Sequence, residues 1–423
     1  MFKKVLSLTL ALLMVVGMSL IFASCGDDKT EKLGESAALL PEVTLDASGV
    51  TVPDDFKLGV IFLHDENSTY DLNFINGVKR AQKALGLKDS QLIMKKGIPE
   101  GQECYDAAKE LVEAGCKIIF ADSFGHESYL LQAAKDFPDV QFCHATGTQA
   151  HTAGVANYHN AFASIYEGRF LAGIAAGLKL NEIKAAGKLK GSVPMMGYVG
   201  AFPYAEVVSG YTSFYLGAKS VCPDVQMKVQ YTSSWYDEAG EKAAAEALIA
   251  AGCDLISQHA DSMGAPTACE DAGIPNVSYN GSTYAAGENT FIISSRIDWS
   301  PYFLYIVKQY CNGDAIAVDW TGTINTGSVL LTGLNQDVAA EGTKKAIDDA
   351  IAAFKAGTLK VFDTDTFTVG GAKKTTYLAD VDDLGDYVGE TEVIKDGYFA
   401  ESEYRSAPYF DLRIDGITEL NNN

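Results

Sequence analysis

KLGVIFLHDENSTYDLNFINGVKRAQKAL, residues 57–85, decides the fold. LGVIFLH (58–64) is an apolar run of strand length, and NFINGVKRAQKALGL (73–87) places apolar residues at helical spacing. The polar turn HDENSTYDLNF (64–74) lies between them and carries two aromatics, Tyr70 and Phe74. A strand, a polar turn and an amphipathic helix make the opening of a βαβ unit.

The rhythm continues downstream. SQLIMKKG (90–97), CKIIFADS (116–123) and VQFCHATG (140–147) read as strands, with helical patterns at 101–115 and 126–138 between them. A long helix over 160–180 opens a second series. Its strands are MMGYVGA (195–201), VQMKVQYTSS (225–234), CDLISQHA (253–260) and PNVSYNG (275–281), separated by helices at 205–223, 238–252 and 264–273. Strands alternating with helices of this length form parallel sheets. The expected fold class is therefore α/β, with two lobes, each a parallel sheet flanked by helices, joined by a hinge. The body of the chain is long enough for two lobes.

The expected boundaries are lobe 1 over 56–160, lobe 2 over 161–290, a return to lobe 1 over 291–335, and a C-terminal segment over 336–423 that packs on the lobes. Residues 360–423 are expected to hold strands around Gly370-Gly371, with no chemical role assigned.

The N-terminus has a different purpose. Lys3 and Lys4 precede an apolar stretch, Val5 to Phe22, and small residues lead to Cys25. This is the layout of a secretory signal peptide, and FASCG resembles the lipidation box of bacterial lipoproteins. The expectation is a processed leader ending at Cys25, a lipid anchor on that cysteine, and a flexible acidic tether over 26–55. It places the protein on the extracytoplasmic face of a cell membrane.

Composition excludes several classes. A net charge of −22 disfavours a nucleic acid partner. Of eight cysteines, the seven beyond Cys25 are scattered without a CxxC pair, which fits unpaired thiols. No HExxH, GxGxxG or GxxxxGK[ST] motif is in place, so no metal, dinucleotide or ATP site is expected, and no cofactor. His259 and Asp261 invite a catalytic reading, but His259 sits at a strand end without a defined reacting partner, so catalysis is not expected.

Ligands of open α/β sheets sit beyond the carboxyl ends of the strands. The residues there are Asp65, Ser68 and Tyr70 after the first strand, Asp122, Ser123 and Phe124 after the third, and Thr146 after the fourth. In the second half they are Phe202 and Tyr204, Trp235, His259 and Asp261, then Asn280, then Arg296, Asp298 and Trp299. Aromatics beside amides or carboxylates in both halves suit a flat polar ring stacked between two side chains.

Four stretches carry a family likeness: GRFLAGIAAGL (168–178), GYVGAFPYAEVVSGYTSFYLGAKSVCPD (197–224), SSWYDEAGEKAAAEALIAAGCDLISQHAD (233–261) and SSRIDWSPYF (294–303). In this order they resemble the basic membrane protein family, lipoprotein substrate-binding components of ABC importers that include a purine nucleoside receptor. The resemblance covers about 57–335. It implies a binding protein that captures a purine nucleoside or related nucleobase compound and passes it to a permease driven by a separate ATPase. NSTYD would place Tyr70, and SSWYDE would place Trp235, on opposite faces of the base. Two positions depart from the family pattern. Asn280 stands where a ribose-binding Asp is expected. Asp298 stands where a Lys is expected, with Arg296 the nearest basic residue. A free purine, a modified nucleoside and a flavin-like ring stay open. So do a sensing lipoprotein that signals to a membrane partner and a nucleoside-processing surface enzyme.

Overall fold

The computed structural model describes residues 38–382 and 388–421. The leader, Cys25 and the first part of the tether lie outside the described residues. In chain order, β1 (Ala38–Leu40) precedes a first series: β2 (Leu58–Ile61), α1 (Thr69–Leu85), β3 (Leu92–Lys95), α2 (Gln102–Glu113), β4 (Ile118–Ala121), α3 (Glu127–Asp136), β5 (Gln141–Ala145), α4 (Ala150–Ala153) and β6 (Tyr158–Ala163). A second series holds α5 (Ile165–Ala185), β7 (Met195–Gly200), α6 (Ala205–Val221), β8 (Gln226–Tyr231), α7 (Glu238–Ala250), β9 (Leu255–His259), α8 (Gly264–Ala272), β10 (Asn276–Tyr279) and β11 (Phe291–Ile297). Then come α9 (Ser300–Asn312), β12 (Asp319–Gly322), β13 (Val329–Gly333) and α10 (Thr343–Lys355). The tail adds β14 (Leu378–Ala379), β15 (Thr391–Glu392), β16 (Ile394–Lys395), β17 (Tyr398–Phe399) and β18 (Ile417–Glu419).

Two sheets result. Lobe 1 has the order β12-β6-β5-β4-β2-β3, parallel throughout. Lobe 2 has the order β1-β13-β11-β10-β9-β7-β8-β18, with β13 antiparallel to both β1 and β11. Helices cover the faces, so central strands such as β2 and β4 are buried along their whole length.

Local chemistry explains α1. Ser68 caps it by accepting the Asp71 N–H, and Gly86 ends it in the left-handed conformation at φ 66°. Phe74, which reads as exposed in the sequence, is fully buried. It stacks on Trp299 with ring centroids 4.3 Å apart. Trp299 is thus part of the lobe 1 core.

Two segments, 291–335 and the tether, were expected elsewhere. The stretch 291–335 does not return to lobe 1 as a unit. β11 and β13 belong to the lobe 2 sheet, whereas α9 packs on α1 and β12 extends lobe 1. The crossings at 163–165, 297–300 and 322–329 run side by side, with Ser164 N–H donating to Gly322 O at 2.7 Å and Asp298 N–H to Ser328 O at 2.8 Å. The expected tether is also shorter than 26–55. Ala38–Leu40 add an edge strand to β13, and Glu42 pairs with Arg80 at 2.9 Å and with Arg296 at 3.0 Å. Finally, the tail places β18 parallel to β8, at the far edge of lobe 2. All seven described cysteines are unpaired, and six of them are buried. Among the described residues no helix is long and apolar enough to cross a membrane.

The glycines of GRFLAGIAAGL have a steric reason. Helices α5 and α6 cross so closely that a Cβ on Gly173 would collide with Phe214 O, and one on Gly217 with Phe170 O. Both obstacles are backbone, which cannot swing aside. Gly217→Val should therefore lower stability by at least the roughly 1–3 kcal/mol of ordinary overpacking. Chemical denaturation of variant and parent checks this, and equal midpoints would contradict the close crossing.

Candidate functional site

The carboxyl ends of the two sheets face each other. Between them lies a cavity that encloses about 350 Å³ including its open mouth, lined from lobe 1 by Leu63, His64, Tyr70, Asp71, Ser123, Phe124 and Thr146. Lobe 2 lines it with Glu206, Trp235, His259 and Asp261. These residues follow β2, β4 and β5 on one side and β7, β8 and β9 on the other, as the strand-end rule requires.

Tyr70 sits in the first turn of α1. Its hydroxyl donates to Asp122 O at 2.7 Å, and its ring meets Phe74 edge-on at 4.9 Å. Both contacts fix the ring in place. Trp235 enters from the loop after β8, where Ser233 takes a positive φ of 61°. Its ring meets Phe202 edge-on at 5.0 Å. The two expected jaws therefore line one cavity from opposite lobes.

The lobes are already in contact. Asp261 O accepts Thr69 N–H at 3.0 Å and the Thr69 hydroxyl at 3.2 Å. Asn73 Nδ2 donates to Asn280 O at 2.7 Å. Asp261 N–H donates to Trp235 O at 3.0 Å, so the same residue also sets the tryptophan loop.

The other expected residues divide by role. Ser123 lines the cavity, and its hydroxyl donates to Glu100 at 2.6 Å. Asp122 is buried behind Tyr70, where its Oδ1 accepts Leu63 N–H at 3.1 Å and its Oδ2 has no hydrogen-bond partner. Asn280 lies one layer back and donates to Asp261 Oδ1 at 3.1 Å. Its φ of 65° is left-handed, a conformation that Asn tolerates better than most residues. Ser68 is spent as the helix cap. Asp65 is exposed and holds Asn67 in the turn at 2.9 Å. Arg296 lines neither this cavity nor the chamber beside it, because Glu42 draws it to the hinge.

Electrostatics are unusual for so acidic a chain. Burial, reinforced by neighbouring Asp71, pushes Asp122 well above the usual carboxylate range. Burial, reinforced by Glu241, does the same for Asp261. Asp71 is pushed up by burial too, but hydrogen bonds from His64 and Ser68 outweigh that and hold it low. Burial lowers His259 and favours its neutral form, although Glu206 Oε1 lies 3.4 Å from its Nε2 and opposes that shift. The cavity wall thus combines a neutral imidazole at His259 and a readily protonated Asp261 with an acid held low at Asp71.

Sequence reasoning passed over Glu206 and Asp71. Both lie in the first turn of a helix, just past the strand-end residues that the rule collects. Among the described residues, one group could offer three carboxylates to a cation: Asp380, Asp382 and Glu390, on the tail.

Comparison with known proteins agrees with this architecture. The family model "ABC transporter substrate-binding protein PnrA-like" matches residues 61–358. A purine-binding protein of Brucella abortus is 34% identical over 288 residues, covering 67% of this chain and 76% of that protein. A putative ABC transporter glucose-binding protein of Haloferax volcanii is 31% identical over 245 residues, covering 58% of each. Among solved structures, an ABC transporter solute-binding protein of Aeropyrum pernix superposes with a TM-score of 0.60 at 15% identity, covering 72% of this chain and 92% of that one. Its likeness concerns the fold. These are solute-binding proteins and not enzymes, and the chain belongs to the PnrA-like family of ABC transporter substrate-binding proteins.

Proposed function

We propose that the protein is the lipid-anchored receptor of an ABC importer, held through Cys25, that captures a purine nucleoside or related nucleobase compound. One observation carries the reading: a cavity between the lobes offers an aromatic ring from each side, Tyr70 and Trp235. The base stacks between the rings. Closure about the three side-by-side crossings buries it, and the closed form is delivered to a permease with its ATPase. The purine-binding relative supports the base, while the relative named for glucose makes a sugar the competing ligand.

A thermal-shift panel of purine nucleosides, free purines, pyrimidine nucleosides, riboflavin and simple sugars tests this. A ligand at a hundredfold excess over Kd adds about 2.7 kcal/mol of stability. Purine nucleosides should raise the melting temperature. Trp235→Ala should weaken their binding by about tenfold or more, since a stacked base is worth about 1–3 kcal/mol. A shift with sugars alone would transfer the protein to the saccharide binders.

The acid behind Tyr70 gives a second test. Asp122 holds its proton more tightly in the folded chain than in the unfolded one. That contribution is fully present below the usual value of 3.8 and is lost as pH rises toward the raised one. Asp122→Asn cannot ionise and keeps the oxygen that accepts Leu63 N–H. The melting temperature of the variant should therefore gain on that of the parent as pH rises above about 4. A constant difference would mean that Asp122 titrates as an ordinary carboxyl.

A further inference from the structure

A second chamber adjoins the first. It encloses about 1130 Å³ including its open mouth, and Phe124, Thr146 and Glu206 line both spaces. Phe124 from lobe 1 and Tyr204 from lobe 2 stack at 5.2 Å where the two spaces meet. Both are large apolar faces left partly exposed, at 36% and 42%.

The outer wall of this chamber is the C-terminal tail, with Arg405, Tyr409, Asp411 and Arg413. This stretch lies beyond residues 61–358, where the family match runs. It is fixed to both lobes. Ser406 N–H and Oγ donate to Asp319 Oδ1 of lobe 1 at 2.9 and 2.7 Å. Downstream, β18 pairs with β8 of lobe 2, where Glu419 accepts Tyr211 and Tyr231 hydroxyls at 2.7 and 2.5 Å.

We infer that the tail is a third component of the ligand site, and that its chamber receives a neutral polyhydroxylated arm attached to the ring held in the inner cavity. The charges decide against an anionic arm. Glu206, Asp380 and Asp411 outnumber Arg405 and Arg413 on the wall. Arg405 donates from Nε, Nη1 and Nη2 to the carbonyls of Ala407, Val381 and Pro408, so its fork is not presented to a phosphate. Arg413 donates from Nε to Glu419 at 3.1 Å. Carboxylates and hydroxyls at the wall suit the many donors of a polyol. The inference rests on the ring reading above for what fills the inner cavity, and Asp411 is the wall residue to test. One of its oxygens accepts the Tyr377 hydroxyl at 2.6 Å.

The test is calorimetry with adenosine, adenine, adenosine monophosphate and D-ribose on the full mature chain. The wild type should bind adenosine at least about tenfold more tightly than adenine or the monophosphate, the value of one hydrogen bond to a charged group. Asp411→Ala should remove most of that preference and leave adenine binding unchanged. Tyr377→Phe, which loses the same internal bond but keeps the carboxylate, should preserve the preference. Equal binding of adenosine and adenine by parent and Asp411→Ala would overturn the role of the tail while sparing the ring reading. Binding of ribose alone, sensitive to Asp411→Ala but not to Trp235→Ala, would support the chamber and overturn the ring reading. No binding of any of the four would overturn both.

Discussion

One backbone carbonyl, that of Asp261, holds the site together. It accepts both the N–H and the hydroxyl of Thr69 across the cleft. The first N–H groups of any helix lack partners within the helix. Here lobe 2 supplies one for α1 of lobe 1. Tyr70 is the next residue of that helix, and Trp235 is tied to the N–H of Asp261. Asp261 therefore links the two segments that carry the rings. Separating the lobes exposes groups that water satisfies readily, so little enthalpy opposes opening.

The fold was readable because βαβ units repeat a simple pattern. Strands such as LGVIF and KIIFA are apolar throughout, and the helices between them keep a 3.6-residue period. What the pattern lacks is an address. Nothing in FIISSRI or VLLTG says which sheet it will join, and both add to lobe 2 although α9 and β12 around them belong to lobe 1. ALL at 38–40 is too short to stand out from the acidic run around it, yet it finds the edge of β13. The tail is held by aromatic packing, with Phe362 and Phe410 stacked at 4.3 Å, and its paired strands β14 to β17 are two residues each. Such a core has no periodicity to detect.

The site was readable in outline for the same reason. Strand ends are predictable, so Tyr70, Ser123 and Trp235 could be picked from sequence and are brought to one cavity. Their neighbours could not be sorted. Ser68, Asp65 and Asn280 have the same chemistry as ligand-binding residues, but local geometry commits them to capping, turn and support. Arg296 is taken by Glu42, a partner 254 residues away that no local pattern indicates.

The tail also changes the mechanics of the molecule. Lobe, hinge, lobe and tail form a closed loop of links, so the mouth cannot widen freely as it would in two bodies joined at one side. The loop has a weak link. At lobe 1 the ties are two from Ser406 to one carboxylate oxygen of Asp319 and one from the Thr152 hydroxyl to Asp382 O at 3.2 Å. At lobe 2 there are a strand ladder, two tyrosine hydroxyls on Glu419, and Asn421 bridging to both the N–H and the carbonyl of Tyr231. On this count of ties the first end would part before the second under load. The tail would then travel with lobe 2 as a visor, lifting from the cleft on the same stroke that opens it.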